Sequence, residues 1–497
     1  MNAAQIKALL ILATGGLLAL ILGFSVATQE YALLALFGYF IVGISVLLFA
    51  ENIPLLAFGL ISPFLLPLPF VWGFPLFPLI LALCTFKLIL HKAVSQDKHD
   101  RKRIPTFVWP FTLFFLSVLL RYIIDPALPN FAGFGENVTG FRPYFAYFTC
   151  FYFLIILGYV IQTRAHVVSM IRWMLAFSII FAVFLTACVF TKNVSLLDYF
   201  VLLGVTVTTF DNGLLRFLVL PSFGLMMILL CLLPNLVRMS WLTRIVLLIL
   251  GTAAVVLGGN RIGLAMALTI VICVPLAQRK FVQTAASIFM IGLFVVVASY
   301  IGTMVKGEVG LYRVLALVSE DLALHSGATD SVRWREVRWE RAWDDIQNKP
   351  LIGYSYGGLA SAFVFGERND EATVELDLAS GGVHNGYLAC AHAFGIPTAL
   401  LFIGTLLWQI IFNFRRAMWF KSFDPEMSQI HTFIFALLSA FSVSIFVGTD
   451  LNAPTIWFLL CFGIITARIY AIEQKELHTP YVAPPSRDAV FQPIVAS

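Results

Sequence analysis

The stretch Ser331-Val-Arg-Trp-Arg-Glu-Val-Arg-Trp-Glu-Arg-Ala-Trp343, with its sequel Gly381-Gly-Val-His-Asn-Gly-Tyr-Leu388, is the one long polar passage in an otherwise apolar chain. Its first block carries four arginines and three tryptophans, and its second places His384 directly ahead of an apolar run. Side chains this charged do not lie in hydrocarbon, and the long runs on either side are built to do so. The contrast predicts an all-α, polytopic membrane helix bundle that holds a polar, largely helical cap at one membrane surface.

Outward from that stretch, 60% of the residues are hydrophobic and 12% are charged, with a mean hydropathy of +0.91. Soluble chains are about one-quarter charged, so a soluble globular protein is excluded. Apolar runs at 6–26, 31–50, 54–70, 76–92, 106–124, 143–162, 171–191, 216–236, 243–259, 262–277, 281–303, 385–412, 429–449 and 455–473 give about fourteen candidate spans. Prolines crowd 54–70 and 76–92, and if those two form one re-entrant hairpin the count is about twelve with the same parity. The first run lacks a small-residue cleavage site and reads as a retained helix. All seven cysteines fall inside apolar runs with no disulfide or metal spacing, so they read as small core residues. The net charge of +5 is spread between spans and does not imply nucleic acid.

Lysines and arginines of the short loops set the orientation. The loops around Lys98 to Arg103, Arg164 to Arg172, Arg238 to Arg244, Arg279-Lys280, and Arg415 to Lys421 all fall on one side, which the charge rule makes cytoplasmic. Both termini are then cytoplasmic. The division is a first bundle segment at 1–303, an external loop or cap at 304–384, three last helices at 385–473, and a proline-bearing tail at 474–497 expected to be disordered. Within the cap, Asp330 or Ser331 is placed to cap a helix running to about Gln347. At 100° per residue, Val332, Trp339, Trp343 and Ile346 share the face expected to pack on the bundle, with Trp334, Arg338 and Arg341 opposite. Asp344-Asp345 reads as a solvated pair, and Glu367 to Asp377 as an acidic lid.

Arg142, Arg216 and Arg261 each sit at the external edge of a span. Two readings compete for them: a cationic pocket for an anionic lipid headgroup, whose oxygens suit the rigid guanidinium fork, and snorkelling toward water. Arg121 has a ready partner in Asp125 one turn on. His384 opens a span on the same side, where nearby arginines and a helix N-terminus favour its neutral form and a general-base role. The competing reading is a polar residue at a helix mouth. Asn385 and Tyr387 are placed to orient a sugar or close the mouth, while His392 and His431 read as packed in the bundle. The chain carries no P-loop, no G-x-S-x-G and no H-E-x-x-H, and Glu30 is the only carboxylate in the first external loop.

Arg335-x-x-x-Trp339-x-x-Ala342, then Pro350-Leu-Ile-Gly353-x-x-x-Gly357, then Val383-His384-Asn385-Gly-Tyr387-Leu388 with Gly395-Ile-Pro, resembles the O-antigen ligase and polymerase superfamily. The turn at Asn260-Arg261 looks like that family's Ser-Arg-Gly turn. Pro221-Ser222 departs from its Pro-Asn pair, and Ser355 stands where its middle glycine would be. The resemblance implies metal-independent, cofactor-free, inverting transfer of a glycan from undecaprenyl diphosphate to an acceptor sugar hydroxyl, at the periplasmic face of a bacterial inner membrane. It implies that Arg216 and Arg261 hold the diphosphate, to which the edge position of Arg142 adds a third guanidinium, and that His384 takes the acceptor's proton. Arg335, Arg338, Asn385, Tyr387 and Trp334 are then supporting or acceptor-binding residues. The acceptor is a lipid A–core glycan for a ligase and a second lipid-linked repeat for a polymerase. A flippase is disfavoured because the charges sit at helix ends rather than at mid-membrane. A structural scaffold would leave the arginines without a role.

Overall fold

The computed structural model describes residues 51–62, 65–68, 71–94, 109–126, 141–191, 207–209, 215–217, 220–237, 239–257, 261–290, 293, 328–356, 374, 378, 383–447, 451 and 453–478. The expected spans at 6–26 and 31–50 and the acidic lid lie outside these residues, the lid apart from Val374. The architecture is the expected all-α polytopic one. Its helices are α1 (Asn52–Ile61), α2 (Leu76–Val94), α3 (Trp109–Ile124), α4 (Phe141–Val160), α5 (Arg164–Thr191) and α6 (Leu220–Cys231). They continue with α7 (Trp241–Leu257), α8 (Arg261–Ala277), α9 (Phe281–Met290) and α10 (Ala328–Asn348), the cap helix. The last four are α11 (Gly386–Phe394), α12 (Ile396–Phe420), α13 (Pro425–Val447) and α14 (Pro454–His478). Five described helices are long and apolar enough to cross a membrane, and shorter apolar helices accompany them. Many large apolar side chains on their outer faces are exposed, among them Leu119, Ile123, Ile249 and Leu407, as a lipid-facing belt requires.

Where small residues meet, backbones approach closely, because hydrocarbon gives no hydrophobic drive between helices and packing must supply it. A Cβ on Gly224 of α6 would run into the carbonyl oxygen of Gly251 on α7. A Cβ on Gly263 of α8 would come within 2.6 Å of Pro221 Cβ on α6. Two short hairpins interrupt the helices: β1 (Leu65–Leu68) with β2 (Val71–Pro75), and β3 (Val207–Thr209) with β4 (Leu215–Phe217), both antiparallel. The first corrects the span expected at 54–70. Helix α1 stops at Ile61, and the prolines at 63, 67 and 69 break the run into a hairpin with an irregular register between Leu66 and Leu68.

The run 385–412 is also not one helix. Gly395 adopts φ +85, α11 ends there, and α12 continues to Phe420, a full two turns past the expected end. At the other terminus, α14 extends through His478, so the first residues of the expected disordered tail are helical.

Chain direction separates two ends of the bundle. The starts of α4 and α12 and the end of α13 lie with His384, and the starts of α5 and α13 and the ends of α12 and α14 lie opposite. At the opposite end Arg164 reaches Asp424 at 2.8 Å and Glu473 at 2.9 Å, and Gln429 accepts from the amides of Asn235 and Leu236.

Candidate functional site

The cap helix α10 sits on the membrane helices through one face, and that face is rotated from the expected one. Arg338, Ala342 and Ile346 are buried, while Trp343 is exposed at 51%. The amphipathic estimate put Trp343 inward on hydrophobicity alone. In the fold, small Ala342 makes the close contact and the indole of Trp343 is left outside. Trp339 keeps its expected inward role. Its Nε1–H donates to the Val383 carbonyl over 3.0 Å, and its ring lies 6.1 Å from Phe446. Asp345 is not a solvated residue, because its carboxylate meets His392 Nε2 at 3.2 Å. His392 and His431 are buried in the bundle as expected.

The connection from α10 back to the bundle is a clamp. Gly353 has φ +67, and its amide closes the turn after the helix by donating to Lys349 O at 3.0 Å. The amides of Tyr354 and Ser355 then donate to the carbonyls of His392 and Ala393, and the amide of Ile396 donates to Pro350 O. Ser355 keeps a left-handed φ of 70 where the resembling family has glycine, and its hydroxyl pairs with Tyr144 OH at 2.7 Å. Tyr354 lies parallel to the His392 ring at 5.4 Å, with Lys349 Nζ 4.3 Å from the Tyr354 ring centroid. Tyr144, Tyr354 and the Asp345–His392 pair were not among the expected functional residues. The only sequence signal for the pair is that Asp345 falls three residues after Ala342 and so shares its face.

This clamp fixes the mouth of the site. Val383 is fully buried and held by Trp339, and His384 follows with φ +54. A left-handed conformation at a non-glycine residue is strained and persists where surroundings enforce it, often at functional positions. His384 is half-buried and its ring centroid lies 4.7 Å from that of Trp334. Arg338 stacks on the same indole: its Cζ is 3.3 Å from the Trp334 centroid, and its Nη1–H donates to Trp334 O at 3.0 Å. One tryptophan therefore touches both the imidazole and a buried guanidinium.

Asn385 is the N-cap of α11, its side-chain oxygen accepting from Leu388 N at 3.2 Å. Tyr387 OH donates to Ser442 O of α13. Tyr387 OH and the Asn385 side-chain oxygen are thus engaged within the fold. Arg335 is half-buried, and its Nε has no hydrogen-bond partner among the described residues. Burial pushes its pKa below the ordinary arginine value. Arg121 is bound to Asp125 at 3.3 Å, as its spacing predicts.

The side chains of Arg142, Arg216 and Arg261 lie outside the described residues, although their backbones do not. Arg142 is in the first turn of α4, Arg261 is the first residue of α8, and Arg216 is in β4 opposite Thr208, a few residues before α6. All three helix starts are at the His384 end of the bundle by chain direction. Contact between Gly263 and Pro221 brings the Arg261 helix start against the helix that Arg216 precedes. Among the described residues, no three His, Cys, Asp or Glu side chains gather as a metal site would.

Residues 245–403 match the family model described as O-Antigen ligase. The matched segment runs from α7 to the first turns of α12 and includes Arg261, the cap helix, the clamp and His384. It leaves out Arg142 and Arg216. The match supports membership of the O-antigen ligase superfamily, and with the apolar helices it supports a multi-pass membrane protein of glycosyltransferase type. No curated relative matches the chain.

Proposed function

We propose, from the superfamily membership that the 245–403 match supports, that this protein transfers a glycan from undecaprenyl diphosphate to an acceptor sugar hydroxyl at the His384 end of the bundle, which faces the periplasm. The observation that carries the reading is the His384–Trp334–Arg338 stack at the membrane mouth, at the bundle end where the Arg142 and Arg261 helices begin. In the proposed step, the acceptor oxygen attacks the anomeric carbon of the lipid-linked glycan and His384 takes its proton. The bond from that carbon to the diphosphate oxygen breaks, and undecaprenyl diphosphate leaves with the electron pair. Attack opposite to the leaving group inverts the anomeric centre.

The leaving group gains negative charge as the bond breaks. Guanidinium groups of Arg216 and Arg261, with Arg142, are suited to stabilise it, an effect worth on the order of 10²–10³ in rate for one well-placed donor. A positioned general base contributes about 10²–10⁴. Arg335, half-buried with an unpartnered Nε, is the cap's contribution to an incoming anion or sugar hydroxyl. Trp334 offers an indole face to a sugar ring and steadies the imidazole.

The test is transfer by the purified, membrane-reconstituted protein supplied with a lipid-linked oligosaccharide. Wild type and His384→Ala, Arg216→Ala and Arg261→Ala are each offered two acceptors, a lipid A–core glycan and a second lipid-linked repeat. Transfer to the core glycan, reduced at least ~100-fold in the His384 variant, is the expected result. Chain extension of the repeat alone would assign the polymerase reaction of the same superfamily instead. Full activity in all three variants would sink the proposed roles.

A further inference from the structure

The end of the bundle opposite His384 holds a cavity of about 680 Å³ that the proposed transfer does not use. Its wall is one face of α5, from Arg164 to Ala176, closed by Glu426 at the start of α13. Residues 165, 169, 172, 173 and 176 recur at three- and four-residue steps, so the wall is a single helical stripe roughly 18 Å long. Ala165, Ser169 and Ala176 keep that stripe low, which is what opens the cavity.

The stripe grades from polar to apolar. Helix α5 is apolar enough to cross a membrane from Arg164 to Thr186, so its first turns lie at the interface. Arg172 is exposed two turns in, and no carboxylate among the described residues pairs with it. An exposed guanidinium flanked by apolar side chains is suited to an anionic group. Trp173 follows, 41% exposed, as an interfacial tryptophan would be.

Glu426 supplies the opposite charge. Its carboxylate is 38% exposed and its contact with Arg164 is 3.8 Å, while Arg164 makes its short contacts to Asp424 and Glu473. The cavity wall therefore presents a guanidinium and a carboxylate that internal pairing leaves available. Asp424 and Glu473 hold Arg164 at short range, so Arg172 and Glu426 are the opposite charges that the described wall offers, a pattern that matches a zwitterion better than an anion.

We infer that this cavity docks a phospholipid with a zwitterionic phosphoethanolamine headgroup. Arg172 and the Ser169 hydroxyl take the phosphate, Glu426 takes the ammonium, and Trp173 and Ala176 receive the first methylenes of the acyl chains. The volume falls in the range of small-ligand sites, roughly 300–1,000 Å³. Choline lipids present no N–H to Glu426, and glycerol lipids bring an uncompensated negative charge.

The site is tested on the full-length protein, stripped of lipid in detergent and titrated separately with phosphatidylethanolamine, phosphatidylcholine and phosphatidylglycerol. Native mass spectrometry reads the bound adducts and thermal unfolding reads the stabilisation. The ethanolamine lipid is expected to bind tightest and raise the melting temperature most. Arg172→Ala lowers its affinity about tenfold or more, the scale of one lost charge-assisted contact. Glu426→Gln removes the preference over choline lipid and improves glycerol-lipid binding. Because Glu426 also touches Arg164, Ser169→Trp is the independent variant: it fills the cavity without touching that cluster and is expected to abolish binding. Equal or tighter binding of phosphatidylglycerol by wild type, or full retention of the ethanolamine lipid by Arg172→Ala and Ser169→Trp, overturns the assignment. Neither readout depends on transfer at the other end, so the two proposals fail separately.

Discussion

The Trp339 indole donates its Nε1–H to the carbonyl oxygen of Val383 at 3.0 Å, so the cap helix holds the peptide unit from which His384 projects. The backbone that carries the imidazole is thus set by a residue 45 positions earlier. Trp339→Phe keeps an aromatic ring beside Phe446 and removes only the donor. The stability loss should be about 1 kcal/mol, with the buried Val383 carbonyl left unpaired. Transfer is expected to fall about tenfold through kcat with little change in KM, because misplacing a base by a fraction of an ångström weakens the chemical step. A mutant that melts earlier yet retains full kcat would reduce Trp339 to a packing residue.

Gly395 and Gly404 make a matched pair on the same stretch of chain. Gly395 has φ +85, and an added Cβ would strike the carbonyl of Leu351, which is backbone and cannot turn aside. Around Gly404, in the middle of α12, an added Cβ meets nothing within 4 Å. Gly395→Ala is expected to destabilise by more than ~2 kcal/mol and to release the 350–355 clamp. Gly404→Ala should be neutral or stabilising by up to ~1 kcal/mol, since alanine is the better helix former. Thermal unfolding in detergent of both variants checks the contrast, and similar melting points would show that the clamp does not depend on the Gly395 turn.

Asp345 and His392 tie the cap to the buried part of α11. Removing the carboxylate with Asp345→Ala strands a buried imidazole and is expected to cost about 1–3 kcal/mol. Asp345→Asn keeps an acceptor and should recover most of that loss. Differential scanning fluorimetry orders the three proteins, and an alanine variant as stable as the asparagine one would mean that the contact contributes nothing to the fold.

The bundle was legible because hydrophobic run length is a strong signal, and α3, α4 and α13 start and stop within a few residues of their runs. Two interruptions were harder to read. At 54–70 the prolines warned of a break without saying that a hairpin would fill it. At 385–412 the Gly395-Ile-Pro motif carries the family resemblance and also the helix break, since a glycine two residues before a proline is the local cue for one. The cap helix shows where periodicity runs out. Its moment put Trp343 inward, but contact with the bundle is decided by shape, and Ala342 and Arg338 fit where an indole did not. Arg338 is the harder lesson: a buried arginine stacked on its own helix's Trp334 has no hydrophobic signature at all. The arginines at the helix starts were found from topology, which reports position along the membrane normal and nothing about separation within the plane.

Ser355 separates strain from hydrogen bonding. Its φ of 70 suits glycine, and its hydroxyl holds Tyr144 at 2.7 Å. Ser355→Gly relieves the backbone and loses the hydroxyl, two effects of about 1 kcal/mol with opposite sign, so stability should change little. Ser355→Ala keeps the strain and loses the bond, and should be about 1 kcal/mol less stable than the glycine variant. Equilibrium unfolding of the two, side by side, is the measurement, and the reverse order would mean that the left-handed turn carries no strain.

Arg335 offers the sharpest division between fold and activity. Burial lowers its pKa, so the charged form is less favourable in the folded protein than in the unfolded chain. A group with a depressed folded pKa that is protonated at every working pH opposes folding, and the penalty fades only as pH climbs through that depressed value, above the range in which the protein is handled. Its Nε also lacks a partner among the described residues. Replacing it by methionine removes the buried charge while keeping an unbranched chain of similar reach. Arg335→Met should therefore melt at the same temperature as wild type or a few degrees higher, and its transfer activity should drop at least ~10-fold if the guanidinium meets substrate oxygens in the mouth. Arg335→Lys retains a charge without the planar fork and is expected to recover little of the activity. Melting curves and transfer rates on the same preparations decide it: a methionine variant that loses stability and keeps its rate would make Arg335 a structural residue and remove it from the site.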